Sequence, residues 1–502
     1  MSFFTPTESQ GAIPCFLLEL DYHVMIYRFA EQMINLSDGS NYKNYNNVLK
    51  EFGYRENSEL IGIDVESNSV SCAVIFDSLD LVQEWRKGFS LEGQTAELSY
   101  VLLKDGIPQQ NYSERIILYK GMIQSPVFGD PLEPLGFAAF SVERAPYDFS
   151  RTLIPPSKTI NITTFTDMDE NTAGGKPFPI VLGQPGQARR VDGTTYLIWA
   201  TPAYMVKKVV GDYRFLIAGH PVQATQVKLR DNAFNHITCT VYTDTDNLGQ
   251  VYSYVDVTGT GLMYPGKLLP PVATDLAHVS EWWVQWTNGG GMLNPFGEGM
   301  LKGGGDICRW ALLTAGVEVD YGAWGNAAIV LNGYEFAGYI NDAEVTAWDW
   351  VSSNILPFLP VEVKAGVKGI KPILALVFAS TYLNPSTKIT VTSDFIQVSA
   401  IETMQDTTEL LNSVVIKFGK DGETSKYCLQ ARVGPNAAND SQDRDDIYSS
   451  TSFNRYGLLE TAIESDYIYD RNTAFYIAHT MVKAKAFPML SISYEASNNF
   501  GY

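Results

Sequence analysis

The chain is short of the features that mark secreted, membrane-spanning or metal-dependent proteins. Its five cysteines, Cys15, Cys72, Cys239, Cys308 and Cys428, are odd in number and scattered, with no CxxC and no short Cys/His spacing. Neither a disulfide framework nor a zinc site is implied. No run of about 18 apolar residues is present to span a bilayer. Residues 1–10 lack a basic segment, and the apolar stretch 13–20 is interrupted by Pro14 and Glu19, which argues against a signal peptide and for synthesis in the cytoplasm. Basic residues are also scarce, 36 Lys+Arg against 56 Asp+Glu for a net charge of −20, so specific binding to a phosphate backbone is disfavoured. An acidic wall would instead repel DNA and let it pass, although solubility explains the charge equally well.

The marks of catalysis are missing too. The five histidines, His23, His220, His236, His278 and His479, are dispersed, and no GxSxG, HExxH or GxxxxGK[ST] pattern occurs. His236 and Cys239 would point to opposite faces of a strand. The segment from Asp167 to Asn171 begins like a calcium loop but has Thr172 where glycine is needed and Phe178 where a glutamate closes the site. The acidic run from Asp440 to Asp446 contains Arg444 and reads as a solvated face. No catalytic, cofactor or metal residues are assigned. Trp282, Trp283, Trp286, Trp348 and Trp350 are able to stack on sugars, but packing in cores and interfaces is the commoner use of such side chains.

What is present is a long, folded chain. At 502 residues with 45% hydrophobic and 18% charged residues, it has material for about three to five cored domains. Alternating apolar patterns predict strands near 16–26, 61–65, 70–76, 94–103 and 115–123, with a short helix at 79–87. Proline-rich punctuation near 129–134 and 154–156 places a boundary at about 150. Further strands are predicted at 213–218, 226–229 and 237–242. A glycine-rich stretch carries Gly289, Gly290 and Gly291 and then Gly303, Gly304 and Gly305. It is either mobile or folded against a partner that needs close backbone approach, and it is the candidate interaction loop. Helices are predicted at 307–315, at 343–356 with Asn341 and Glu344 as a capping box, and at 473–485. Strands at 388–392, 395–401, 414–418, 427–433 and 489–494 complete a mainly β chain with a few helices.

The order of these elements resembles the hub proteins of tailed-bacteriophage tail tips and baseplates. In the first 150 residues the likeness rests on 70–76, 79–88, 94–103, Tyr119-Lys120-Gly121-Met122-Ile123 and Ser125-Pro126. Near the other end it rests on 401–414, Tyr456-Gly457-Leu458-Leu459-Glu460 and Asp470-Arg471-Asn472-Thr473-Ala474. The resemblance implies two tail-tube-like β-barrel domains, 1–150 and 388–502, flanking a β-rich middle domain at 151–305 and a mixed helical insertion at 306–387. It further implies a non-enzymatic, self-assembling subunit of the virion, trimeric in such hubs, assembled in the host cytoplasm and joined to distal tail, tube, tape-measure, tip or fibre proteins. Its ring would continue the DNA channel without binding nucleic acid or inserting in a membrane. A receptor- or glycan-binding tail protein, a cell-wall-degrading tail enzyme and a hexameric distal tail adaptor are the competing expectations.

Overall fold

A computed structural model describes residues 13–496 apart from 23–24, 48, 54–62, 65–68, 77–86, 129–135, 144–148, 169, 190–194, 210–211, 232–235, 259–262, 265–266, 269–281, 367, 375–395, 404–409, 423, 441 and 488–489. The helix expected at 79–87 and the strand at 388–392 fall almost wholly outside these residues. The class is as expected, mainly β with a few helices.

The N-terminal strands form one ten-stranded sheet. Its centre is strand Ile13–Tyr22, paired antiparallel with Met25–Ala30 on one side and Thr95–Lys104 on the other. Successive side chains of a strand face opposite ways, and both faces here are covered. Leu18, Leu20 and Tyr22 pack with Leu49, Leu98, Ile123 and Phe140, whereas Cys15 and Leu17 pack with Ile34, Leu36, Tyr45 and Val101. The sheet continues through Ile116–Phe128, Gly136–Glu143 and Ser69–Phe76 to Leu49–Gly53. That last strand returns to within 8 Å, Cα to Cα, of Ile13–Tyr22, so the sheet curls toward closure.

The fully closed barrel lies in the middle of the chain. Six strands, Thr201–Val209, Asp212–Ala218, Val251–Thr258, His236–Thr245, Gln226–Asp231 and Trp282–Asn288, close on one another in that order. Met205, Phe215, Leu229, Val255, Val284 and Trp286 fill its interior. Segment 152–178 wraps the outside, where Ile160, Phe165 and Phe178 cover Tyr204, Leu216 and Tyr252.

Beyond the barrel come three helices, α1 (Gly304–Thr314), α2 (Tyr321–Leu331) and α3 (Ala347–Asn354). Two more, α4 (Ile447–Tyr456) and α5 (Arg471–Lys485), accompany the C-terminal four-stranded sheet, whose long strands are Ser413–Asp421 and Lys426–Val433. One apolar core joins α1, α2 and α3 to that sheet and to α5, with Trp324, Trp350, Ile416, Phe418 and Phe475 among its buried members. Helix α3 starts later than its sequence suggests. Thr152 and Thr346 form a bridge, and the Ala347 N–H donates to the Arg151 carbonyl at 2.9 Å, which holds the preceding residues extended. Thr346, rather than Asn341, therefore caps the helix, accepting from the Asp349 N–H at 3.0 Å.

Candidate functional site

The six glycines singled out in the sequence stand where the barrel meets the helical body. Gly289, Gly290 and Gly291 leave the last barrel strand and run between two other backbones. The Ala224 N–H donates to the Gly290 carbonyl at 3.0 Å, while the Gly291 N–H donates to the Gly183 carbonyl at 2.7 Å and the Met292 N–H to Val181 at 2.8 Å. A Cβ on Gly291 would lie 2.1 Å from the Val181 carbonyl oxygen, and one on Gly290 would lie 2.3 Å from that of Gly183. Only glycine admits three backbones at this spacing.

Gly303, Gly304 and Gly305 open α1. The Gly304 N–H donates to the Tyr334 carbonyl at 2.9 Å, and an added Cβ on Gly305 would meet the Ala328 backbone at 2.9 Å, so these residues bring α1 against α2. The two triplets thus serve two different contacts inside the chain.

Between the triplets, residues 292–300 fold back on themselves through an isolated bridge of Leu293 with Met300. Asn294 and Asn332 both donate to the Asp306 carboxylate, at 2.8 and 3.0 Å. A pocket of about 200 Å³ beside this segment is lined by Gln184, Met300, Lys302, Glu335, Tyr469 and Asp470 among others. Its charged groups are already engaged: Lys302 pairs with Glu335 at 2.5 Å, and Asp470 caps α5 through the Thr473 N–H at 2.7 Å.

His220 lies at the same joint. Its Nε2 accepts the Val181 N–H at 2.9 Å, which assigns the proton to Nδ1, where it is donated to the Pro221 carbonyl at 2.9 Å. Burial, with a smaller contribution from nearby Lys158, pulls the imidazole down to about 4 against the opposing pull of the Pro221 carbonyl. This neutral histidine therefore ties strand Ile180–Leu182 to the barrel. No sequence signal marked it, because Val181 and His220 meet only through the fold.

The other residues considered in the sequence are dispersed. Cys239 is buried in the barrel, and the side chain of His236 lies outside the described residues, as do His23 and His278. The Asp440–Asp446 run makes local bonds. Asp440 accepts from the Gln442 and Asp443 N–H groups, and Asp446 caps α4 while pairing with His479 at 2.9 Å. Burial opposes ionisation of Asp446, yet His479 and the Tyr448 and Ser449 N–H groups hold its carboxyl below the usual range. Trp282, Trp283, Trp286 and Trp350 are buried, and Trp348 stacks on Phe149 at 4.7 Å, so these tryptophans serve packing. Among the described residues no group of three His, Cys, Asp or Glu side chains is placed to hold a metal ion.

Two constellations went unread in the sequence. In the N-terminal sheet the nearly buried Glu19 accepts from Arg28 at 2.8 Å, from the Tyr45 hydroxyl at 2.7 Å and from the Tyr112 hydroxyl at 3.1 Å. Arg115 stacks on the Tyr112 ring, lies 3.7 Å from Glu19 and pairs with Glu97. In the helical body the Arg309 guanidinium lies over Phe296 at 4.1 Å and over Tyr321 at 4.6 Å.

No family model matches the chain, and no curated protein matches its sequence. One solved structure with partial similarity is the Borreliella burgdorferi PlzA protein in complex with c-di-GMP, at 8% identity and a TM-score of 0.13, covering 49% of this chain and 81% of that one.

Proposed function

We propose that this chain is a structural subunit of a phage tail tip or baseplate, a hub whose copies assemble, as a trimer, into a ring between the tail tube or distal tail ring and the tip. The observation that supports this reading is the N-terminal sheet, which curls toward closure and exposes apolar side chains at both ends. Met25 and Ile26, at 58% and 49% exposure, stand at the hairpin end of the central strand, where Tyr22 pairs with Met25. Ile13 and Ile107, at 64% and 65%, stand at the opposite end, where Ile13 pairs with Leu103. Apolar groups on both rims of a curled sheet suit stacking between a ring above and a ring below. The reading assigns the work to interfaces and gives the chain no catalysis of its own. Its partners would be other tail proteins, its location the virion, and its acidic surface a poor ligand for the DNA passing through the lumen.

The test is electron microscopy of the purified chain together with its mass in solution. A trimeric ring with a central opening is expected; a compact particle without an opening, alone and after mixing with a purified tail-tube protein, would overturn the reading.

A further inference from the structure

Among the described residues Arg309 has no counter-ion. It projects from α1 between the Phe296 and Tyr321 rings, and its Nε is buried with no hydrogen-bond partner. In a chain with 56 acidic residues, no described carboxylate pairs with it. Of the two rings that hold it, Tyr321 is 56% exposed, and Ile329, two turns further along α2, is 82% exposed. Gly325 lies between Tyr321 and Ile329 at one-turn intervals along α2, and a Cβ added there would meet nothing within 4 Å. Arginine and aromatic side chains grouped in this way are the composition of an interface centre. Because two rings hold the guanidinium and its Nε has already left water, a carboxylate arriving there would meet a charge whose ordering and desolvation are partly complete.

The same chain displays the complement. Asp445 is exposed at the start of α4, and its Oδ1 accepts from the Asp446 N–H at 2.9 Å and the Ser450 hydroxyl at 2.6 Å. Its Oδ2 has no partner among the described residues. Beside it Ile447 is 77% exposed and Tyr448 44% exposed. Arg444, which would otherwise compete for the carboxylate, is turned onto the Phe475 ring at 4.0 Å. One surface therefore presents a cation between two rings, and the other an anion beside exposed Ile447 and Tyr448, whose ring also carries Lys483 at 5.7 Å.

We infer that the Arg309 surface of one copy receives the Asp445 end of α4 from a second copy. The two surfaces belong to different elements, so the contact is head to tail, and each copy keeps one of each surface for the next neighbour. A contact of that kind builds closed rings or open chains rather than isologous dimers. The inference rests on the proposed function only in requiring that copies of this chain associate, and it names the residues through which they do so.

The experiment uses the full chain, with mass and sedimentation followed over a concentration series for the wild type, Arg309→Glu, Asp445→Arg and the double variant. Circular dichroism of each variant checks that it folds. Each single reversal is expected to weaken association by about tenfold or more, and the double variant to recover most of it. If a reversed chain fails to fold, Asp445→Asn, which retains an acceptor for Ser450, is expected to give a smaller loss of the same sign. Wild-type rings that persist unchanged in both single variants would overturn this contact and leave the hub reading standing. Association lost in the variants but never ring-shaped would support the contact and remove the hub reading. A wild type that stays monomeric throughout the series would overturn the contact.

Discussion

The N-terminal sheet and the joint between barrel and helical body both bury polar groups, but they do so by opposite means. Around Glu19 the sheet uses long side chains, two arginines and two tyrosine hydroxyls, converging from three segments on one carboxylate. At the joint almost everything is backbone: Val181 and Gly183 meet Gly291 and Met292 at hydrogen-bonding distance, and a neutral histidine adds its side chain to the ladder. The first arrangement specifies its partners by charge and leaves the backbone free to be ordinary. The second specifies them by the absence of side-chain volume. A buried charge set should thus fail when a charge is removed, and the glycine joint when an atom is added.

Substitution separates the two. Gly291→Val should have the largest effect, because its Cβ would lie 2.1 Å from the Val181 oxygen and neither backbone can yield. A loss above about 4 kcal/mol is expected in denaturant unfolding of the body; a change below about 1 kcal/mol would show that the joint is looser than drawn. Glu19→Ala leaves two guanidinium groups and two hydroxyls facing one another without a carboxylate. It should cost about 3 to 4 kcal/mol in the N-terminal sheet, with hydrogen exchange at the joint unchanged. If exchange quickens equally in both regions, they are not the separate systems described here.

Acid should act on the joint in a third way. The folded His220 titrates near 4 and the unfolded side chain near 6.5, so between these values the unfolded chain takes up a proton that the folded chain refuses. Stability from this group is complete above pH 6.5 and declines as pH falls toward 4, by about 3 kcal/mol. His220→Gln, which can still accept from Val181, should flatten that part of the pH–stability curve; an unchanged slope would assign the effect to carboxylates elsewhere. The smallest expected effect lies at the α3 cap, outside both regions. Thr346→Ala should remove about 1 kcal/mol, whereas Asn341→Ala should do less, and the reverse ranking would place the helix start at 343.

How much of this was legible follows from how locally each feature is determined. The strand at Asp212–Ala218 and the helix α5, opening after Asp470, carry their periodicity and caps within a few residues, and both were readable. Helix α2 was not, because Gly322 and Gly325 weaken its propensity and its apolar residues form no single stripe. It is held by tertiary contacts instead, Trp324 being fully buried with its Nε1–H donated to the Ile370 carbonyl at 3.0 Å. The glycines were legible as a place of close approach, but the other backbone was not, since Val181 lies more than a hundred positions earlier. The Glu19 set was invisible for the same reason, with Tyr112 and Arg115 far along the chain from the carboxylate they share.

One small pairing sets a limit on how the chain can be made. Residues Ile63 and Asp64 form a parallel ladder with Val363 and Lys364, in the sheet completed by Gly369–Leu374. A ribosome releasing the chain from its N-terminus exposes Ile63 about three hundred residues before its partner exists. Until then the first module must keep that edge unpaired or hold it against something temporary, and loop closure over such a separation is slow. The pairing of Ile63 and Asp64 therefore waits on synthesis of the helical body, and a truncation before residue 361 leaves this short strand without its partner, an open edge of the kind that draws neighbouring chains together.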